Sequence, residues 1–306
     1  MFDWDVVIIG GGPAGLTAGL YLSRGKRRTL LLEKETFGGP IMNYEWIENY
    51  PGFADGISGA QLASEMVNQA TNYGLKLEQA KVEGIELFTN GRYVMCANGT
   101  GYMTTVVIIA GGSHPKKLGV PGEEKLQGKG VFNCAFCDGG QFVDQVVAIC
   151  GGGDAGITEA LYMTKLASRV IVIEAMPVLT ASAILEERAL ANPKLEIRCE
   201  TKVEAILGDS QVENVKLLDV EGQRETLKVD GVLVHVGLEP NTSYLKDLVH
   251  LDNGGQIIVN ERMETEIPYI LAVGDIRSGS PNQIIAAAGD GATAALSAER
   301  LLQELA

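Results

Sequence analysis

The feature that most restricts the fold is a glycine loop that occurs twice in the same setting. Ile9-Gly10-Gly11-Gly12-Pro13-Ala14-Gly15 follows the run Asp5-Val6-Val7-Ile8-Ile9 and opens an apolar-periodic segment, Pro13 to Leu22. Gly151-Gly152-Gly153-Asp154-Ala155-Gly156 follows Val146-Val147-Ala148-Ile149 and opens a second such segment, Gly156 to Leu166. Short β-branched runs of this kind read as buried parallel strands, and the periodic segments as helices, with Pro13 tolerated in a first turn. Thr29 to Leu32 and Val170 to Ile173 supply the next strands, completing two βαβ units. Gly10, Gly12, Gly15 and Glu33 precede Gly151, Gly153, Gly156 and Glu174 by one and the same interval. Two copies of one nucleotide-binding fold are the simplest reading.

Each copy later has a strand running into glycine, Val107 to Gly112 and Val232 to Gly237. Pro115 to Gly130 is rich in Pro, Gly and Lys and suits a linker, and Gly237 to Thr242 suits a return linker. A strand, Tyr269 to Val273, and an Ala-rich helix from Gln283 to Leu305 close the chain. The expected fold is α/β, with two Rossmann-like dinucleotide-binding domains, the second inserted into the first. Residues 1–115 plus 243–306 form the first, discontinuous domain, and 116–242 the inserted second one.

A lone G-x-G-x-x-G says little in a chain with 38 glycines. A near-match at Gly289-x-Gly291-x-x-Ala294 has no strand leading in and is set aside. The two retained loops differ in context. Each has a strand before it and a helix after it, and an acid, Glu33 or Glu174, stands at the same spacing past its first glycine. Glycine allows the tight turn and the close approach of backbone to a pyrophosphate, and the helix start offers free N–H groups. Glu33 and Glu174 are placed to accept hydrogen bonds from an adenosine ribose.

Asn133-Cys134-Ala135-Phe136-Cys137-Asp138-Gly139-Gly140 carries the sharpest chemistry. Two-residue spacing lets the sulfurs bridge locally, and a helix start stabilises a thiolate. The reading is a redox dithiol, with Asp138 as the acid that moves the accompanying proton. Two other readings compete with it. A zinc half-site would need two further ligands, but there is no second C-x-x-C, and His114, His235 and His250 are scattered. Chance burial of two core cysteines is the other, and for Asp138 a plain helix cap. Cys96, Cys150 and Cys199 lie in or beside apolar strands and read as small core residues.

The formal net charge is -14, which disfavours nucleic acid as a partner. No apolar run approaches the ~18 residues that span a bilayer. The first residues lack the basic region and cleavage site of a signal peptide, so a cytoplasmic location is expected.

With these residues in place the chain resembles the low-molecular-weight thioredoxin reductases, a family of flavoprotein disulfide reductases. The matching pieces are Ile9 to Gly15, Glu48-Asn49-Tyr50-Pro51-Gly52-Phe53, Cys134 to Gly139, Gly151 to Gly156 and Ala272-Val273-Gly274-Asp275, in the family's order. The resemblance implies a homodimer with FAD held by Gly10, Gly12, Gly15, Glu33, Asn49, Gly274, Asp275 and Gln283. It implies Cys137 as the sulfur facing the flavin, Cys134 as the sulfur that attacks the partner, and Asp138 as the proton carrier. It also implies a domain rotation hinged near Gly119 to Gly122 and Gly237 to Asn241.

Three positions depart from the family pattern: Gly38-Gly39-Pro40 in the early FAD loop, Asn282-Gln283 before the last helix, and Glu174-Ala175-Met176 where NADPH users carry His-Arg-Arg. The last departure makes NADH, held by Gly151, Gly153, Gly156 and Glu174, the expected pyridine nucleotide. Ferredoxin or a deazaflavin is the alternative donor. Thioredoxin, a glutaredoxin-like protein and a peroxidase domain all remain open as the protein substrate. Two rival functions are an FAD electron carrier or sensor without disulfide turnover and a ferredoxin-type NAD(P)H reductase. The cysteine pair argues against both.

Overall fold

The computed structural model describes residues 2–245 and 247–305. The chain divides into two compact units, one made of residues 1–114 with 239–306 and the other of residues 115–238.

In the first unit, β1 (Trp4–Ile9), α1 (Pro13–Arg24), β2 (Thr29–Glu33), α2 (Gly59–Asn72) and β3 (Lys76–Gln79) are followed by β4 (Val82–Phe88), β5 (Gly91–Cys96) and β6 (Gly101–Ile109). Its sheet runs β3-β2-β1-β6-β5-β4. β1 is parallel to both neighbours, with Ile8 opposite Leu31 on one side and Ile108 on the other. Val6 to Ile8 and Val106 to Ile109 are fully or almost fully buried, which is why the run is uniformly β-branched rather than alternating.

β7 (Ser113–Pro115) leads into the second unit, where α3 (Glu123–Leu126), β8 (Val131–Phe132) and α4 (Ala135–Asp138) follow. β9 (Val146–Cys150), α5 (Asp154–Met163), β10 (Arg169–Ile173), α6 (Ala183–Leu190) and β11 (Leu195–Arg198) repeat the βαβ theme. β12 (Thr201–Leu207), β13 (Asn214–Asp219) and β14 (Arg224–Lys228) form an antiparallel meander. β15 (Gly231–Val234) completes a parallel sheet of order β11-β10-β9-β15-β8. After β16 (Leu238–Pro240), β17 (Ile270–Ala272) adds in parallel to the second half of β6, and α7 (Ile284–Gln303) ends the chain.

The duplication therefore extends beyond the loops. The parallel strands of the first unit run β3-β2-β1-β6-β17, and those of the second β11-β10-β9-β15-β8, each with its glycine loop after the central strand.

The linker reading of 115–130 needs correction. Glu123 and Leu126 of that segment are buried, and Leu126 belongs to the core that also holds Val131 and Val232. Glu123 takes the N–H groups of Leu118 and Gly119, so the segment folds as part of the second unit. The chain crosses between units only at β7 and β16, which pair as a two-stranded ribbon. Proline and lysine content misled here because Leu118, Val120 and Leu126 supply too few apolar positions for a visible period.

Two side chains hold the C-terminal part of the first unit. Asp290 in α7 accepts Nε and Nη2 of Arg277 at 2.6 and 2.9 Å and the N–H of Gly274 at 3.1 Å. The pair is well buried, at 9% and 16% side-chain exposure. Gly291 beside it has a separate task, since a Cβ there would stand 2.2 Å from the carbonyl oxygen of Ala14. The set-aside glycine near-match in α7 is thus a helix-crossing site against α1. Asp290→Ala leaves a buried guanidinium without its partner, and such losses cost about 3–5 kcal/mol. Urea unfolding should show a loss of that size, while Asp290→Glu should recover much of it.

Candidate active site

The two glycine loops are built alike to within a few tenths of an ångström. Gly10 and Gly151 have φ of 113° and 115°, a region that only glycine enters freely. A Cβ on Gly10 would meet the Ala110 carbonyl oxygen at 2.2 Å, and one on Gly151 the His235 carbonyl oxygen at 2.0 Å. Gly15 and Gly156 lie against the carbonyl oxygens of Gly10 and Gly151, at 2.0 and 2.1 Å from where a Cβ would be. These contacts let each helix start directly over its loop. Gly12 is different, because nothing lies within 4 Å of its Cβ position. That open face at a helix start suits an incoming phosphate.

The acids repeat as well. Glu33 accepts the N–H groups of Gly11 at 2.7 Å and Glu35 at 2.9 Å. Glu174 accepts those of Gly152 at 2.6 Å and Met176 at 2.8 Å. Each carboxylate is thus clamped at the rim of its loop, beside the position of an adenosine ribose in folds of this type.

Around the first loop, Gly39 reaches Gly12, and a Cβ on Gly39 would stand 3.1 Å from the Gly12 Cα. Pro40 lies in the short 3-10 turn Gly39–Asn43. Asn49 is exposed, and its Nδ2 donates to Oε1 of Gln283, the residue that precedes α7, at 3.0 Å. Gly274 packs toward Ala14 of α1, and its N–H is held by Asp290. Burial pushes the Asp275 carboxyl above the usual range, with Ser280 opposing and Asp290 adding to the rise. Of the sequence-predicted positions, Glu33 and Gly274 lie at the first loop or the helix it opens, and Asn49 and Gln283 are bonded to each other. Arg277 and Asp290, which brace Gly274, were missed. Their only sequence signal is an Asp between two glycines inside a helix.

In the second unit, Cys134 and Cys137 form a disulfide. Cys134 is the N-cap of α4, and its Sγ accepts the N–H of Cys137 at 3.0 Å. Cys134 is half-buried and Cys137 exposed. The Asp138 side chain caps neither α4 nor the 3-10 turn that follows, so the capping alternative is removed. Gly139 lets the redox helix lie on α5, since a Cβ there would meet Sδ of Met163 at 2.8 Å. Phe136 is exposed and touches the Tyr162 ring edge-on, with Lys165 5.5 Å above the same ring.

The other cysteines behave differently. Cys96 and Cys150 are buried, and burial pushes the Cys150 thiol up to about 12. Cys199 is half-buried and packs against the core of the second unit. Its thiol is raised by burial and then by Glu174, Glu200 and Glu186. The Glu200 N–H donates to the Met176 carbonyl at 2.9 Å, which ties Glu200 to the segment after Glu174. Arg198 binds Glu196 and Glu225, each at 2.6 Å, and Arg169 binds Glu196. Arg188 is exposed on α6, and Lys165 lies over Tyr162.

The comparisons with known proteins agree with this geometry. The family described as pyridine nucleotide-disulphide oxidoreductase matches residues 4–291. The thioredoxin reductase of Bacillus subtilis (strain 168) is 39% identical over 305 residues, covering 99% of this chain and 96% of that protein. The chain belongs to this family and is of the low-molecular-weight thioredoxin reductase type. Thioredoxin reductase from Lactococcus lactis superposes with a TM-score of 0.96 at 37% identity, covering 98% of this chain and 99% of that one. That from T. acidophilum gives a TM-score of 0.94 at 35% identity over all of both chains. Membership makes this an FAD-dependent disulfide oxidoreductase with two Rossmann-like domains. Among the described residues no helix is long and apolar enough to cross a membrane.

Proposed function

We propose that this reductase passes electrons through FAD to the Cys134–Cys137 disulfide and on to thioredoxin or a similar small protein disulfide, drawing them from NADH in preference to NADPH. The observation that carries the first part is the disulfide at the start of an exposed helix, on a unit whose fold repeats that of a second dinucleotide cradle.

In this reading Gly10, Gly12 and Gly15 accommodate the FAD pyrophosphate and Glu33 the adenosine ribose. Asn49, Gly274, Asp275 and Gln283 line the rest of that site. The open Cβ position of Gly12 and the bonded Asn49–Gln283 pair support the fit. When bound, FAD supplies two-electron exchange between a nicotinamide and a disulfide. Cys137 takes the flavin side and Cys134 the partner side, with Asp138 carrying the proton. The homodimer expected for the family belongs to this reading too.

Two features bear on which sulfur attacks the partner. Cys137 is the more exposed, but the Cys134 sulfur is the one at the helix start with an N–H donated to it. Attack requires a thiolate, and an N–H aimed at the sulfur stabilises one, so the bond outweighs the exposure. Cys137→Ser should therefore trap a mixed disulfide with a thioredoxin-like partner, seen as a band lost on reduction. Cys134→Ser should not. Trapping by Cys134→Ser alone would reverse the assignment.

The donor preference rests on charge. A ribose 2′-phosphate needs cations, and each charge-assisted hydrogen bond to one is worth about 1.5–3 kcal/mol. At the expected positions stand Ala175 and Met176, while the Glu174 carboxylate is held at the rim by the N–H groups of Gly152 and Met176. A carboxylate there accepts from a free 2′-hydroxyl and repels a 2′-phosphate. Anaerobic mixing with NADH should bleach the flavin faster than NADPH does at equal concentration. Faster bleaching by NADPH would overturn the preference. Bleaching by reduced ferredoxin or a deazaflavin alone would make the second cradle a vestige.

A further inference from the structure

Behind the redox pair, the second unit carries two titratable side chains, one buried and one half-buried, that the electron path above does not use. Glu159 in α5 is only 7% exposed. Its Oε2 accepts the backbone N–H of Ala135, the residue that follows Cys134. Its Oε1 stands 3.8 Å from Nε2 of His235. That nitrogen is buried and has no hydrogen-bond partner among the described residues. The His235 backbone is fixed at both ends. Its N–H donates to the Cys150 carbonyl at 2.8 Å, and its own carbonyl lies against Gly151 of the nucleotide loop. The imidazole is thus held at the end of β15 with one nitrogen turned toward the carboxylate that grips the redox helix.

The carboxylate grips the amide next to Cys134, so the two groups would act in opposite senses on that sulfur. A buried carboxylate beside a thiol disfavours the thiolate, while the helix start and the Cys137 N–H favour it. A donor directed at the carboxylate draws its charge away and relieves the repulsion. A separation of 3.8 Å is too long for a direct hydrogen bond, so the effect is that of an N–H dipole, direct or through one water.

We propose that Glu159 and His235 are a positioning pair for the redox disulfide: Glu159 orients α4 through the Ala135 amide and restrains thiolate formation at Cys134, and His235 moderates that restraint. Neither residue touches the partner or the flavin in this scheme. The pair also joins the second glycine loop to the redox helix by contact, through Gly151, His235, Glu159 and Ala135. The proposal rests on the reading of Cys134 as the attacking sulfur.

The test uses the full-length, FAD-loaded protein with Cys137→Ser, reduced so that Cys134 is a free thiol. The readout is the rate of iodoacetamide alkylation at Cys134, identified by peptide mass, at one neutral pH. Glu159→Gln keeps an acceptor for Ala135 but removes the charge, and should raise the rate by about 3- to 10-fold, since one unit of thiol pKa is a tenfold change in thiolate at pH well below it. His235→Leu should lower the rate, and His235→Gln, which restores a donor of similar reach, should return it to within about twofold of the parent. Circular dichroism and flavin content check the fold of each variant. Opposite shifts for Glu159→Gln and His235→Leu with rescue by His235→Gln support the pair. Any other pattern in folded variants overturns it, including equal-sign shifts, no shift, or failure of the glutamine to rescue. Failure of the Cys137→Ser parent to trap a partner would instead count against the function proposed above, and is read separately from the sign of these shifts.

Discussion

Everything at the two cradles depends on one close contact, a glycine Cα set against the carbonyl oxygen of the loop's first residue. Gly15 on Gly10 and Gly156 on Gly151 leave no room for a Cβ. That approach lets α1 and α5 begin over the ends of β1 and β9, and it aims the next amides outward. The remaining loop N–H is then taken by an acid at the end of the following strand, Glu33 or Glu174. A side chain at either inner glycine would force the helix away from the sheet. It would also disturb the amide array that a pyrophosphate needs.

The same geometry explains how a chain of formal net charge -14 can hold anionic nucleotides. The long-range field is unfavourable, but a helix start presents partial positive charge over a few ångströms, where it outweighs distant carboxylates screened by salt. The rim is a different matter. There full charges decide, and the second rim carries Glu174 with Glu186 and Glu200 close enough to raise the Cys199 thiol. In the reading proposed above, the backbone suits a dinucleotide and the side chains at the rim discriminate among dinucleotides. On the redox side, α5 links loop to disulfide. It starts at the second loop, and it carries both Glu159, which grips Ala135, and Met163, which underlies Gly139.

Much of this was legible in the residues. The constant interval between the two glycine-and-acid sets anticipated paired loops, and even Glu35 and Met176, which follow the two acids at equal spacing, donate matching bonds. The cysteine pair announced itself by spacing. Other features were hidden for physical reasons. The segment 115–130 is held by a buried Glu123 accepting the amides of Leu118 and Gly119, an arrangement that composition does not encode. Arg277 and Asp290 are well separated in the chain and meet only because α7 folds back on the loop after β17. His235 sits at the end of an apolar strand and shows in the sequence only as one of three scattered histidines, because its partner Glu159 comes from α5, far earlier in the chain. A single sequence displays local pattern and repetition, whereas these pairings are set by tertiary packing.

The central claim is that FAD and the Cys134–Cys137 pair act as two redox centres in series. Anaerobic titration of the FAD-loaded protein with dithionite, followed by flavin absorbance, tests it most directly. The account predicts that the parent takes up two electron pairs per FAD, one for the flavin and one for a disulfide, and that Cys134→Ser takes up one. Equal uptake of a single pair by parent and variant would contradict it, and would leave the protein an electron carrier without disulfide turnover.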